Sequence, residues 1–252
     1  MSYFSGLVQN EWMKINSKKQ LPLFLAFLFA IFLLIIVVLR YFAEDTGYFM
    51  DTAVLTVNLG ALFMTYYFIA STAQTVTDEY KDGTIKQLLI RPAGRTTVLM
   101  SKLVNQLLVL VVVSVAVLVF ALLLGAIFFS LTAKGDSTTL TSLIEIVIYR
   151  WVGTLFYGTM AFMLAVLTRS VGISISVPFL LSSIIDGIAS MGLQRYSWYK
   201  FTYFPHLDWK IYADGGAPYD GATLSFSIFM YAVYMIVMLA IAIWVFKKRD
   251  VQ

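Results

Sequence analysis

The sequence predicts an all-α polytopic membrane protein: six transmembrane helices, an N-terminal amphipathic helix at the interface and a helical cytoplasmic loop. Three observations predict it. The 252 residues are 60% hydrophobic and 13% charged, with a mean hydropathy of +0.83, whereas soluble domains carry about 25% charged residues. The charges are clustered, so that runs such as 52–77 and 103–133 contain no Asp, Glu, Lys or Arg, and each exceeds the roughly 20 residues that cross a bilayer as a helix. Such unbroken runs exclude a closed barrel, whose strands need only about 9–11 alternating residues.

The spans are expected at 21–40, 52–76, 103–131, 143–168, 171–192 and 222–246, within a single membrane domain over 1–252. The first run is too long for a signal-peptide core and ends in Arg40-Tyr41-Phe42 rather than a small-residue cleavage site, so it reads as a retained span. With both termini inside, twelve of the eighteen Lys and Arg residues fall on the cytoplasmic side, as the positive-inside rule requires. The same rule accounts for the net charge of +4, which therefore argues for a membrane surface and not for nucleic acid. The absence of cysteine excludes disulfides, thiolate metal sites and cysteine nucleophiles.

Within 1–19, Phe4, Leu7, Val8, Trp12 and Ile15 recur at steps of three and four, with Gln9, Asn10 and Lys14 between them. That spacing gives an amphipathic helix lying in the interface before the first span.

Between the second and third spans lies a polar interruption, DEYKDGTIKQLLIRPAGRTTVLMSK, with a cytoplasmic loop at 78–98. Ile85, Leu88 and Leu89 form a small apolar face decorated by Lys81, Lys86 and Arg91. Gly83 can break the helix that descends into the loop, and Pro92-Ala93-Gly94 ends the short helix that follows.

The order Glu79, Gly83-Thr84, Leu88-Leu89, Pro92, Arg95 and Lys102 resembles the cytoplasmic loop of type-2 ABC permeases. Asn10-Glu11-Trp12-Met13-Lys14 is similar to that family's interfacial elbow helix. Six spans, two cytoplasmic ends and a long outer loop before the last span fit the same family, and the resemblance covers the whole chain. It implies an ABC type-2 exporter-like fold that pairs with a second permease copy or paralogue and binds a separate cytoplasmic ABC ATPase. Asp78, Glu79, Gly83, Thr84, Ile85, Leu88, Leu89, Pro92 and Arg95 would then form or position a coupling helix. Arg169, in the short inner turn after the fourth span, would make a second, smaller contact with the ATPase; a lone basic residue there is also the ordinary positive-inside signal. The sequence contains no G-x-x-x-x-G-K-[ST] phosphate loop, so ATP and Mg are expected on the partner ATPase and no cofactor on this chain.

Two other features stand out. Arg150 and Asp186 fall at similar expected depths in the fourth and fifth spans, roughly 10 Å below the outer surface at 1.5 Å per residue, and an intramembrane ion pair would offset the cost of burying either. The fifth span is rich in small and polar residues. Pro178 should kink it; the resemblance implies that Pro178, Ser182, Ser183 and Gly187 lie near a dimer axis or pathway, and ordinary close packing is the alternative.

The outer loop at 193–220 is dense in Tyr, Trp and Phe, which the membrane interface alone explains. His206, the only histidine, can make neither a metal site nor a histidine pair by itself, and reads as a structural interface residue. No catalytic constellation emerges and the chain is not expected to be an enzyme.

The expected function is the permease subunit of an ATP-driven exporter in a bacterial plasma membrane, moving amphipathic peptides, bacteriocins or drugs. The alternatives are an ion-coupled secondary transporter, which usually shows internal repeats and ionisable coupling residues, and a non-transporting membrane scaffold or sensor.

Overall fold

A computed structural model describes residues 3–42, 49–83, 94–129, 140–185 and 196–248. Among these residues the chain is helical, with no strand. The helices are α1 (Tyr3–Ser17), α2 (Gln20–Phe42), α3 (Phe49–Lys81), α4 (Arg95–Phe128), α5 (Leu140–Thr168), α6 (Val171–Leu180), the short α7 (Lys210–Ala213) and α8 (Leu224–Lys248). Single turns at Tyr199–Phe201 and Phe204–His206 lie between α6 and α7.

Five helices among the described residues are long and apolar enough to cross a membrane: Gln20–Tyr41, Phe49–Lys81, Thr96–Phe128, Leu140–Thr168 and Leu224–Lys248. The expected span at 171–192 corresponds to α6 and the wider helical turn Leu181–Ile185 that follows it; its remainder lies outside the described residues. The α6 region breaks for a local reason. Pro178 lacks the N–H that would bond one turn back, and the Ser182 and Ser183 hydroxyls both donate to the Phe179 carbonyl, at 3.0 and 2.7 Å. Hydroxyl bonding of this kind bends helices.

Helix ends differ from the apolar runs in one informative way. α3 continues past residue 76 to Lys81, and α4 begins at Arg95 rather than at 103. Both ends of the polar interruption are therefore helix. Gly83, at φ +66°, follows α3 in the left-handed conformation, with Gly83 N–H donating to the Tyr80 carbonyl at 3.4 Å. That is the conformation in which glycine closes a helix end without steric penalty.

The chain packs as two compact units. In the unit comprising 1–67 and 104–150, the buried positions recur at helical spacing: Leu28, Phe32 and Ile36 on α2; Ala53, Val57, Ala61 and Met64 on α3; Val109, Val113, Val117 and Ala121 on α4. A Cβ on Gly60 would stand 2.5 Å from Phe32 and 2.7 Å from Val117, so these surfaces meet because residue 60 has no side chain. Here α1 packs against α2 with Leu7, Glu11 and Ile15 on its buried face. Glu11 is thus placed among apolar residues, with Lys14 Nζ 2.8 Å from its carboxylate.

The other unit, 68–103 and 151–252, is built on Val76, Leu99, Phe162, Ala165, Val166, Ala242, Val245 and Phe246. Outward-facing apolar residues are abundant on both units, including Leu23, Leu34, Ile127, Ile236 and Trp244. A surface of this kind is stable against lipid tails and not against water.

Candidate functional site

Val76 on α3 and Leu99 on α4 both belong to the second unit's core. One helical turn beyond each stand Glu79 and Lys102, which meet: Lys102 Nζ lies 2.6 Å from Glu79 Oε1. Both side chains are buried, with Lys102 2% and Glu79 6% exposed. The same ammonium donates to the Thr75 carbonyl at 3.1 Å, using the lone pair that the helical bond leaves over. A charge-assisted bond of this length is strong. In a buried setting it also fixes geometry, because neither charge can be left without a partner at tolerable cost. The pair therefore pins the end of α3 to the start of α4, at the two roots of the segment that joins them.

A second contact reaches the same place from α5. Thr168, Arg169 and Ser170 form a tight turn between α5 and α6. Arg169 takes the left-handed conformation at φ +57°, and its N–H donates to the Ala165 carbonyl at 3.0 Å. Thr168 Oγ1 accepts the Ser170 N–H at 3.2 Å, and the Ser174 hydroxyl closes the first turn of α6 on the Ser170 carbonyl at 2.7 Å. This turn carries the Arg169 guanidinium 4.7 Å above the Tyr80 ring. Tyr80 is the residue after Glu79. Cation–π contact at an exposed arginine contributes about 0.5–1 kcal/mol, so the ion pair is the rigid part of this joint and the arginine its lighter fastening. One carboxylate, one ammonium and one guanidinium do not make a metal-ligand set; the joint fixes the end of α3 against α4 and the α5–α6 turn.

The structure thus brings together Glu79, Lys102 and Arg169 of the residues singled out from sequence. Asp78 is half-buried on α3, Gly83 ends that helix, and Arg95 opens α4. Thr84, Ile85, Leu88, Leu89 and Pro92 lie outside the described residues. Arg150 is exposed on α5; Asp186 lies outside the described residues, and with it the expected Arg150–Asp186 pair, as does Gly187. Pro178 is buried, and Ser182 and Ser183 bond within their own helix.

Sequence reasoning missed a second assembly, around His206. Its imidazole is fully buried. Nε2 is 2.9 Å from the Lys200 carbonyl and Nδ1 is 2.9 Å from Ser227 Oγ on α8. Tyr212 Oη is 2.6 Å from that Ser227 oxygen, and Trp209 Nε1–H donates to the His206 carbonyl at 2.9 Å. Tyr234 of α8 donates to the Phe201 carbonyl at 2.5 Å. Burial holds the imidazole below its ordinary pKa, opposed in part by the bond to Lys200. A histidine within hydrogen-bond reach of a serine was not legible from a separation of 21 residues. The ring and Ser227 are both closed off from solvent, with both ring nitrogens bonded within the fold.

A family model for a protein family of unknown function, DUF2705, matches residues 39–252. The chain belongs to the DUF2705 family. It is similar to two proteins of Bacillus subtilis (strain 168). One is the uncharacterized protein YhcI, 31% identical over 229 residues that cover 82% of this chain and 71% of that protein. The other is the uncharacterized membrane protein YdbK, 30% identical over 209 residues that cover 82% of this chain and 83% of that protein. With several apolar helices of spanning length and a membrane-protein relative, this DUF2705 chain is a multi-pass membrane protein.

Proposed function

We propose that this chain is the permease subunit of an ATP-driven exporter, coupled through its 78–98 segment to a separate cytoplasmic ATPase that binds ATP and Mg. The observation that carries the reading is the buried Glu79–Lys102 pair. A loop that receives force from a partner must be fixed rigidly at both roots, or the force is lost in local bending. The ion pair provides that fixing, and the Arg169–Tyr80 contact adds the turn between α5 and α6 to the same joint. Movement of the loop would then carry α3, α4 and the α5–α6 turn together, and the apolar helices would rearrange to expel substrate. The full reading is a six-span, type-2 ABC arrangement in a bacterial plasma membrane. Both termini are cytoplasmic, and a second permease copy or paralogue completes the pathway. The apolar, aromatic-rich outer segment suits amphipathic peptides, bacteriocins or drugs as substrates.

A photo-crosslinking amino acid placed at Leu88 in living cells tests the coupling surface. Capture of a cytoplasmic ATPase from Leu88, and not from an equivalent probe at Asp214, supports the reading. Efficient crosslinking of Leu88 to lipid alone would overturn it.

A further inference from the structure

The hydrogen bonds around His206 have a fixed polarity. The Lys200 carbonyl can only accept, so Nε2 carries a proton. In the neutral ring Nδ1 is then a bare acceptor and takes the Ser227 hydroxyl proton. With its own proton committed, Ser227 Oγ accepts from Tyr212 O–H. The chain Tyr212→Ser227→His206→Lys200 runs in one direction and satisfies each member.

A second proton on the ring reverses it. Nδ1–H becomes a donor facing a donor, and Ser227 Oγ can accept it only if the hydroxyl proton turns to Tyr212. The proton of Tyr212 then loses its acceptor. The positive charge also finds no compensation. Among the described residues no carboxylate pairs with the ring. On its own segment, Lys200 and Lys210 are cationic. Asp208 is exposed, with its carboxylate accepting the Lys210 N–H at 3.0 Å, and Asp214 is exposed as well. The other titratable side chains nearby are the tyrosines Tyr203, Tyr212 and Tyr219, and none of them is a carboxylate. From α8 the charged residues are Lys247 and Lys248 at its far end, and the other titratable groups are Tyr231 and Tyr234. The part of α5 in this unit, residues 151–168, bears no Asp, Glu, Lys or Arg. The ring instead packs edge-on against Phe226, centroids 5.7 Å apart.

We propose that His206, Ser227 and Tyr212 form a proton-sensitive latch that holds the segment 199–213 closed against α8 while the imidazole is neutral and releases it when the ring is protonated. The fold gives the latch a lever. His206 and Tyr212 both end on Ser227, near the start of α8, and Tyr234 holds Phe201 two turns further along. Protonation strands the Tyr212 proton and sets an uncompensated charge beside Ser227, which weakens the hold at this end while the Tyr234 bond keeps the other, about which the segment can swing. The sign follows from burial: a depressed imidazole pKa means the closed state binds fewer protons than the open one. The latch is therefore at full strength above about pH 6.5, the ordinary histidine value, and weakens as pH falls below it. This device goes beyond the exporter reading and needs no ATPase.

The chain has one histidine and no cysteine, which makes the test clean. Protein with labelled imidazole and a histidine-free tag is titrated by NMR in detergent. A midpoint below about 6.5 that rises in Ser227→Ala is expected; a wild-type midpoint at or above that value overturns the proposal. Opening is read on Leu207→Cys, as its maleimide reaction rate divided by that of the exposed Asp214→Cys. The ratio should rise at least several-fold from about pH 7.5 to about pH 5.5 and stay flat in the non-titrating His206→Gln background. A flat wild-type ratio, or the same rise in His206→Gln, overturns the latch. Should His206→Gln fail to fold, Ser227→Ala serves as the second background, and a wild-type-sized rise there likewise overturns it.

Discussion

Neutralising Lys102 is the sharpest perturbation the structure offers. Lys102→Met keeps the length and apolar stem of the side chain and deletes the ammonium that Glu79 faces at 2.6 Å and Thr75 at 3.1 Å. With the carboxylate 6% exposed, water cannot replace the lost partner, and breaking a buried pair from one side costs about 3–5 kcal/mol. Glu79→Gln removes the charge from the other side and should cost a comparable amount. The double variant Glu79→Gln/Lys102→Met buries two neutral side chains of nearly native volume. It should recover most of the loss, so that the two single effects exceed the double by at least about 2 kcal/mol. The assay is equilibrium unfolding in mixed micelles with rising dodecyl sulfate, followed by far-ultraviolet circular dichroism. The reasoning is refuted if each single variant costs less than about 1 kcal/mol, the value typical of a surface ion pair, or if the two losses simply add.

Three further outcomes follow from other contacts. A Cβ on Gly158 would stand 2.2 Å from the Phe68 ring, so Gly158→Ala should lose about 1–3 kcal/mol by overpacking in the same unfolding assay, and Phe68→Leu should restore part of that loss. Arg169 combines a left-handed backbone with the Tyr80 contact. Arg169→Ala should therefore lose about 0.5–1 kcal/mol, while Arg169→Gly, which relieves the backbone by a similar amount, should be close to neutral; equal losses for both would contradict the strain argument. Because His206 is held below its ordinary pKa by burial, closed-state stability should be constant above about pH 6.5 and fall as pH drops below it. Thermal unfolding of wild type and His206→Gln across that window checks the sign.

Much of this architecture was legible in the sequence because lipid imposes a simple rule: long uncharged runs become helices. The runs at 21–40 and 143–168 correspond to α2 and α5 within three residues at each end. The rule says nothing about where a helix stops once it leaves the apolar zone. Hence α3 and α4 extend through Lys81 and back to Arg95, beyond the bounds that the apolar runs set. Glu79 and Lys102 were both visible as members of one motif, yet their pairing was not, since it depends on the antiparallel register of two long helices. The available signal was their opposite charge at the two margins of one interruption, beside the uncharged runs 52–77 and 103–133. Glu11 was read as part of the elbow-helix resemblance, and its burial went unread for a different reason. Periodicity places it on the face of Leu7 and Ile15, and its burial there depends on Lys14 reaching it. The His206–Ser227 bond joins an irregular segment to a helix, and no periodicity reports such a contact.

On the proposed function, this chain works with a separate ATPase through the segment rooted at Glu79 and Lys102. The most direct measurement is purification of the tagged full-length chain from its native host in mild detergent, with partners identified by mass spectrometry, beside the same preparation of Glu79→Ala/Leu88→Glu. A soluble ABC ATPase is expected in near-equal amount with wild type and is expected to be lost with the variant, while the variant remains in the membrane at normal level. Reproducible absence of any ATPase from wild type, under conditions that keep other membrane complexes intact, would contradict the proposed function.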